Sequence, residues 1–229
     1  MTLDYYVIAG GVPDAEPEGI VVEEFVFDED HCAVGLDTAG WSAADLRWWS
    51  SARFGRGMRD DARLRARVVA VDRAGAQEVF RRQGGGDLPA EPLLRGHFRD
   101  RAPLDVASPL RLDDTVPDGY RERRLHRVLF AGDAAPEGLA ALRSSWGAAR
   151  LAVGADLYAW ELRRIGGNVA WCLDLTTWLG GDDNLGGDDN LGGDGNLGGD
   201  GGAIGPLLGE LTGQARRLGL IPVTVDRLR

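Results

Sequence analysis

The sequence contains no lysine, and all 26 of its basic residues are arginine. A chain without lysine cannot form the phosphate-binding loop of P-loop nucleotidases, a Schiff base with pyridoxal phosphate, or a serine–lysine nucleophile pair. We exclude these three kinds of active site. The arginine bias, together with 34 glycines, indicates a GC-rich coding sequence more than it indicates a function.

Cysteine is also scarce: Cys32 and Cys172 are the only two, and they form no CxxC motif. Two buried thiols in a reducing cytoplasm are expected, in preference to one long-range disulfide. No run of about 18 apolar residues is present to span a membrane. The first residues carry an acid and no base before a short apolar run, so we predict no export signal and a cytoplasmic protein without a membrane partner.

Positive charge is in deficit, because 36 acidic residues give the chain a net charge of −10. Neutralisation of phosphates supplies most of the affinity for nucleic acid, so this balance argues against a nucleic-acid partner. The expected partner is another protein.

Residues 179–202 repeat one hexapeptide four times, as LGGDDN, LGGDDN, LGGDGN and LGGDGG. The segment holds six of the aspartates and no cation. We interpret it as a solvated loop that tolerates changes of length, because each doubling of a loop adds only about 0.6 kcal/mol of closure entropy. The alternative is weak binding of calcium, which prefers carboxylate oxygens.

The pattern of elements predicts an α+β fold. We expect a mixed, largely antiparallel sheet with three to four helices packed mainly on one face, plus the glycine- and aspartate-rich repeat loop. A single domain is predicted over residues 1–229, with 179–202 as an insertion. The proline-rich stretch at 100–120 is the alternative place for a domain boundary.

Local patterns predict individual elements. Three strands open the chain, at residues 3–9, 20–27 and 32–37. Ser42 is then expected to cap a helix that continues to about Arg53. Alternation over residues 158–178 predicts a hairpin.

Asp174 is the first candidate functional residue. The predicted strand at 169–178 places it on one face together with Cys172. If both faces are buried, the carboxylate needs a partner such as Arg164 or a raised pKa, and it would then mark a functional site. If this face is solvated, Asp174 is an ordinary surface acid.

Tryptophan is abundant, with seven residues against four tyrosines. Trp160 and Trp178 are predicted to share the hairpin face of Cys172 and Asp174, where exposed indole rings would suit a binding surface. Packing of the indoles in the core is the alternative.

Motifs for metal binding or catalysis are lacking. The acids at residues 23–30 precede His31 and Cys32, but adjacent side chains on a strand point to opposite faces and do not readily share one ion. We expect a solvated turn there. No GxSxG or HExxH motif occurs, so no catalytic, cofactor-binding or metal-binding residue is assigned and no cofactor is expected.

These observations favour a non-enzymatic binding or regulatory module that acts through protein–protein contacts. Two alternatives remain open. One is a small enzyme with a site assembled around Asp174 and a histidine or arginine, since catalytic groups need only meet in space. The other is a weak divalent-cation binder that uses the aspartate-rich repeat.

Overall fold

The computed structural model describes residues 2–11, 15–104, 115–146, 149–165, 170–181 and 201–228. Strands hold 42% of these residues and helices hold 27%. The strands form two antiparallel sheets, which we call sheet A and sheet B.

Sheet A is built from the first half of the chain and has the order β4-β3-β2-β1-β5, with β6 also paired to β3. Its strands are β1 (Asp4–Ile8), β2 (Gly19–Phe27), β3 (Ala33–Ser42), β4 (Arg47–Ser50), β5 (Val68–Val71) and β6 (Arg101–Pro103).

Sheet B is built from the second half and has the order β11-β7-β10-β9-β8. Its strands are β7 (Tyr120–Ala131), β8 (Arg150–Val153), β9 (Asp156–Ile165), β10 (Ala170–Gly180) and β11 (Ile221–Leu228).

Helices pack against both sheets. The first four are α1 (Ala52–Asp60), α2 (Ala62–Arg65), α3 (Arg73–Arg82) and α4 (Glu91–Arg95). The last two are α5 (Pro136–Ser145) and α6 (Ile204–Arg216). Apolar residues of α3 and α4 cover one face of sheet A, and Met58 of α1 packs on the other with Ile221 of β11. Helices α5 and α6 cover one face of sheet B, which we call its inner face.

The expected fold, one mixed sheet with a few helices on one face, is therefore wrong. The described strands form two separate antiparallel sheets, and six helices are shared between them. Periodicity along the chain identifies a strand and its buried face, but it does not say which other strand will pair with it. Residues 105–114, which belong to the alternative domain boundary at 100–120, lie outside the described ranges. The expectation of a single domain therefore stays a prediction.

The helix expected from Ser42 is replaced by a hairpin. Ser42 ends β3, and its hydroxyl accepts a hydrogen bond from the backbone N–H of Asp45 at 3.3 Å, which closes a turn. Trp48 and Trp49 then lie in β4, where aromatic residues favour extended backbone. Helix α1 begins later, with Ser51 as its N-cap.

Asp156, at the start of β9, holds the two ends of the repeat together. Its Oδ1 accepts a hydrogen bond from the backbone N–H of Gly180 at 3.0 Å, and its Oδ2 accepts one from Gly201 at 3.1 Å. Leu179 is fully buried at the end of β10. Residues 182–200 of the repeat lie outside the described part of the chain, so both interpretations of them stay predictions.

Membrane insertion by a helix finds no support in the described residues. None of their helices has both the length and the apolar composition that are needed to cross a bilayer.

Candidate functional site

A cleft of about 440 Å³ lies between helix α6 and strands β1 and β2, and we call it the α6 cleft. Its walls are mostly apolar: Phe25 and Phe27 of β2 face Leu208 of α6, and Val225 of β11 also contributes. The charged or titratable side chains that line it are Asp4, Glu24, His31 and Glu210.

The turn between β2 and β3 places His31 at the cleft. Asp28 closes this turn, because its Oδ1 accepts hydrogen bonds from the backbone N–H groups of Asp30 at 3.0 Å and Cys32 at 2.8 Å. His31 has a left-handed backbone (φ 60°) and lies against α6, where a Cβ on Gly205 would be 3.5 Å from its Cε1. The imidazole therefore packs directly against the helix backbone.

Two glycines of α6 lie on the side of the helix that lines the cleft. Gly205 and Gly209 are four residues apart, so they lie one above the other on the same helix face, and both line the cleft. A Cβ on Gly209 would meet no atom within 4 Å. The helix backbone is consequently open to a molecule in the cleft at Gly209, whereas His31 covers it at Gly205.

Asp4 connects the cleft to a buried ion pair. Arg216 of α6 donates a hydrogen bond to Asp4 Oδ1 and another, 3.1 Å long, to the Tyr6 hydroxyl. The Arg216 guanidinium also lies 4.7 Å from the centre of the Tyr6 ring. Burial raises the pKa of Asp4 to about 6, although Arg216 acts in the opposite direction. A carboxyl group that titrates near neutral pH therefore faces the cleft.

A second buried ion pair lies next to Phe25, one of the aromatic residues that line the cleft. Arg59 of α1 donates to both carboxylate oxygens of Glu23, at 3.0 and 3.2 Å, and Thr38 donates to the same carboxylate at 2.9 Å. The Arg59 Nε also donates to the Pro222 carbonyl at 2.7 Å, so this side chain connects sheet A to β11 of sheet B. Its guanidinium lies 5.5 Å from the centre of the Phe25 ring.

Sequence reasoning missed both ion pairs. It placed the acids at residues 23–30 in a solvated turn, whereas Glu23 is 1% exposed within β2. One signal was available, because Glu23 alternates with Val21 and Phe25 on one face of an apolar strand. No local pattern identifies Arg59, which lies 36 residues further along the chain.

The structure places Asp174 on the outer face of sheet B, opposite α5 and α6. Its carboxylate accepts two hydrogen bonds from Arg127, at 2.6 and 2.8 Å, and its Oδ2 accepts two from Arg163, at 2.8 and 3.3 Å. The partner suggested from sequence, Arg164, instead pairs with Asp133. Asp174 is therefore neither free at the surface nor unpaired in the interior, and its side chain is 12% exposed.

Cys172 and Trp178 share the outer face of sheet B with Asp174, as predicted. Cys172 is fully buried, and burial raises the pKa of its thiol. It is a free cysteine, as is the buried Cys32, which confirms the expectation of two thiols. Trp178 is half-buried and lies opposite Arg123 in the register of β7 and β10. These residues do not line the α6 cleft.

The expected orientation of Trp160 is wrong. In the hairpin of β9 and β10, Trp160 pairs with Leu175 and therefore lies on the inner face with the core of sheet B. Trp178 pairs with Leu157 on the outer face. A shift of one residue in register reverses the face of every side chain, and alternation along the sequence does not fix the register. Residues 166–169, between the two strands, lie outside the described ranges.

His126 also lies on the inner face, so the structure does not bring it to Asp174. It is 1% exposed, and its Nε2 donates to the Asp30 carbonyl at 2.9 Å. Its Nδ1 is buried without a hydrogen-bond partner in the described part of the chain. Burial lowers the pKa of His126 to about 4, so the ring is neutral at physiological pH.

Metal binding receives no support from the described ranges, which contain no group of three or more histidine, cysteine or acidic side chains placed to hold an ion. The chain matches no model of a known protein family, and neither curated proteins nor solved structures gave a significant match.

Proposed function

We propose that this protein binds a small organic molecule in the α6 cleft. The observation that carries the proposal is the cleft itself, with a volume of about 440 Å³, apolar walls and a few convergent polar groups. Sites for small molecules in proteins usually have about 300–1,000 Å³ and this same mixture of surfaces. The raised pKa of Asp4, to about 6, is a further property that clusters at functional sites.

The composition of the α6 wall supports a binding role. Protein interiors are normally close-packed, and glycine inside a helix costs about 1 kcal/mol relative to alanine. Gly209 lies inside α6 and carries this cost on the side of the helix that lines the cleft. A larger side chain at this position would favour the helix but would occupy the space that a ligand needs.

A neutral fluorescent dye tests the proposal. N-phenylnaphthylamine becomes brighter in an apolar site, so titration with the protein should give saturable fluorescence. In the variant Gly209→Leu the new side chain enters open space at the cleft, and binding should be lost. Gly213→Leu is the matched control, because Gly213 lies on the same helix, also has open space around it and does not line the cleft.

Both variants replace a helical glycine with a better helix former, so neither should destabilise the fold. Loss of dye binding in Gly209→Leu alone supports the proposal. Equal binding by both variants, or no saturable binding by the original protein, overturns it. Binding of a partner protein, and an enzyme site around Asp174, remain predictions from the sequence.

A further inference from the structure

The α6 cleft is lined by acidic side chains. Asp4, Glu24 and Glu210 line it, and no arginine of the described residues does, although the chain has 26 arginines. His31 is the only other titratable side chain among the described residues of the lining. Arg216 and Arg95 pair with Asp4 and Glu24 but do not line the cleft, so an anionic ligand would face carboxylates and no arginine, which is unfavourable in a partly enclosed site.

The three carboxylates differ in how many of their oxygen atoms an arginine holds. Arg95 holds both oxygens of Glu24, at 2.7 and 2.8 Å. Arg216 holds only Oδ1 of Asp4. Glu210 forms no ion pair with any described residue, and its Oε1 accepts a hydrogen bond from the Gln214 amide at 3.2 Å. Asp4 and Glu210 can therefore each accept a further hydrogen bond from a positively charged donor.

The remaining surfaces suit a flat aromatic body. The rings of Phe25 and Phe27 lie 6.1 Å apart and are tilted by 48°. The faces of such rings attract cations as well as other rings. On the α6 side, Gly209 is exposed and a Cβ there would meet no atom within 4 Å, so a planar group can lie closely against the helix backbone at this residue.

From the carboxylates, the two phenylalanines and the open helix backbone at Gly209, we infer that the ligand of the α6 cleft is an aromatic amine in its protonated form. Its ring system lies between the phenylalanines and α6, and its ammonium group donates to Asp4 and Glu210. This inference rests on the proposed binding function and adds the charge class of the ligand.

Three probes test the charge of the ligand, because they share a naphthalene ring system and differ mainly in the charge of their substituent. They are naphthylmethylamine, which is a cation, naphthylmethanol, which is neutral, and naphthoate, which is an anion. Affinities are measured by displacement of N-phenylnaphthylamine at a pH of about 7.5, above the pKa of Asp4 of about 6. We expect the cation to bind about tenfold more tightly than the alcohol, and the anion to bind least.

Glu210→Gln should weaken binding of the cation about fivefold and leave binding of the alcohol unchanged. This substitution is safe for the fold because Glu210 is exposed. Glu137→Gln is the control, since Glu137 is an exposed acid of α5 that does not line the cleft.

The two proposals fail in different ways. If the dye binds in the cleft but the cation binds no more tightly than the alcohol, the inference about charge is overturned and the binding function stands. The same conclusion holds if Glu210→Gln weakens both probes equally. If Gly209→Leu leaves dye binding intact, the binding function itself is overturned.

Discussion

Arg59 and Glu23 form a two-point ion pair in which the side chains are only 4% and 1% exposed. Taking two charges out of water is costly, so such a pair adds little stability by itself. Removing one partner is different, because the other charge is then left buried and unpaired.

We therefore expect Arg59→Met to lower the free energy of unfolding by about 3–5 kcal/mol. The variant also leaves the carbonyls of Gly55 and Pro222 without their guanidinium donor. Denaturation by urea measures the loss. The double variant Glu23→Gln with Arg59→Met should recover part of it, because no unpaired charge remains.

Arg81→Met is the matched control for this substitution. Arg81 pairs with Asp87 at 2.9 Å, but the two side chains are 64% and 88% exposed. A pair so exposed contributes about 1 kcal/mol or less. Equal losses in Arg59→Met and Arg81→Met would contradict the buried ion pair.

His126 should make the fold sensitive to acid. Its pKa is lowered from 6.5 to about 4 in the folded chain, so between these values the unfolded chain binds the proton and the folded chain does not. The stability contributed by the neutral ring is present above a pH of about 6.5 and is lost as the pH falls towards 4. The full loss is about 3 kcal/mol, at roughly 1.4 kcal/mol for each pKa unit.

The variant His126→Gln isolates this effect. Its amide keeps a donor for the Asp30 carbonyl but does not titrate. We expect the unfolding free energy of the original protein to fall relative to that of the variant as the pH is lowered from 7 to 4. Parallel curves for the two proteins in this range would show that His126 is not buried as described.

Asp174 should support the outer face of sheet B without affecting the α6 cleft. Asp174→Ala leaves Arg127 of β7 and Arg163 of β9, the strands on either side of β10, without their shared carboxylate, and we expect a loss of about 1–2 kcal/mol in the free energy of unfolding. Glu161→Ala is the control, because Glu161 pairs with Asp174 in the strand register but is 70% exposed. Dye binding in the cleft should be the same in both variants, and its loss in Asp174→Ala would contradict the separation of the two faces.

Removing the repeat should have little effect on stability when its described ends are kept. We expect deletion of residues 182–200, with a linker of about three glycines between Gly181 and Gly201, to change the melting temperature by only about 2–4 °C. A deletion that begins at Leu179 is the comparison, because this leucine is fully buried and its loss should cost about 2–5 kcal/mol.

Two results would contradict the interpretation of the repeat as a spacer. One is the loss of folding in the shorter deletion. The other is a sharp rise in the melting temperature of the full chain when calcium is added, which would favour the alternative of cation binding.

Local sequence patterns predicted the elements that depend on near neighbours. The hairpin of β9 and β10 follows from the alternation over residues 158–178. The helix expected from Ser42 failed because Trp48 and Trp49 gain more as a strand paired with β3.

The cleft could not be predicted, because it depends on contacts between distant parts of the chain. Asp4 and Arg216 are 212 residues apart, and nothing local selects one of 26 arginines as the partner. The cleft side of α6 is the exception. Gly205 and Gly209 recur at helical spacing and could have suggested a surface kept open.

The hydrogen bonds of Asp156 determine how the fold responds when the repeat changes in length. A single carboxylate joins the residues on either side of the insert, so the start of α6 is fixed relative to the end of β10 whatever lies between them. Copies of a short DNA repeat are readily gained or lost during replication. In this chain such an event would alter the count of hexapeptides and the net charge, while the geometry of α6 and its cleft would be inherited intact.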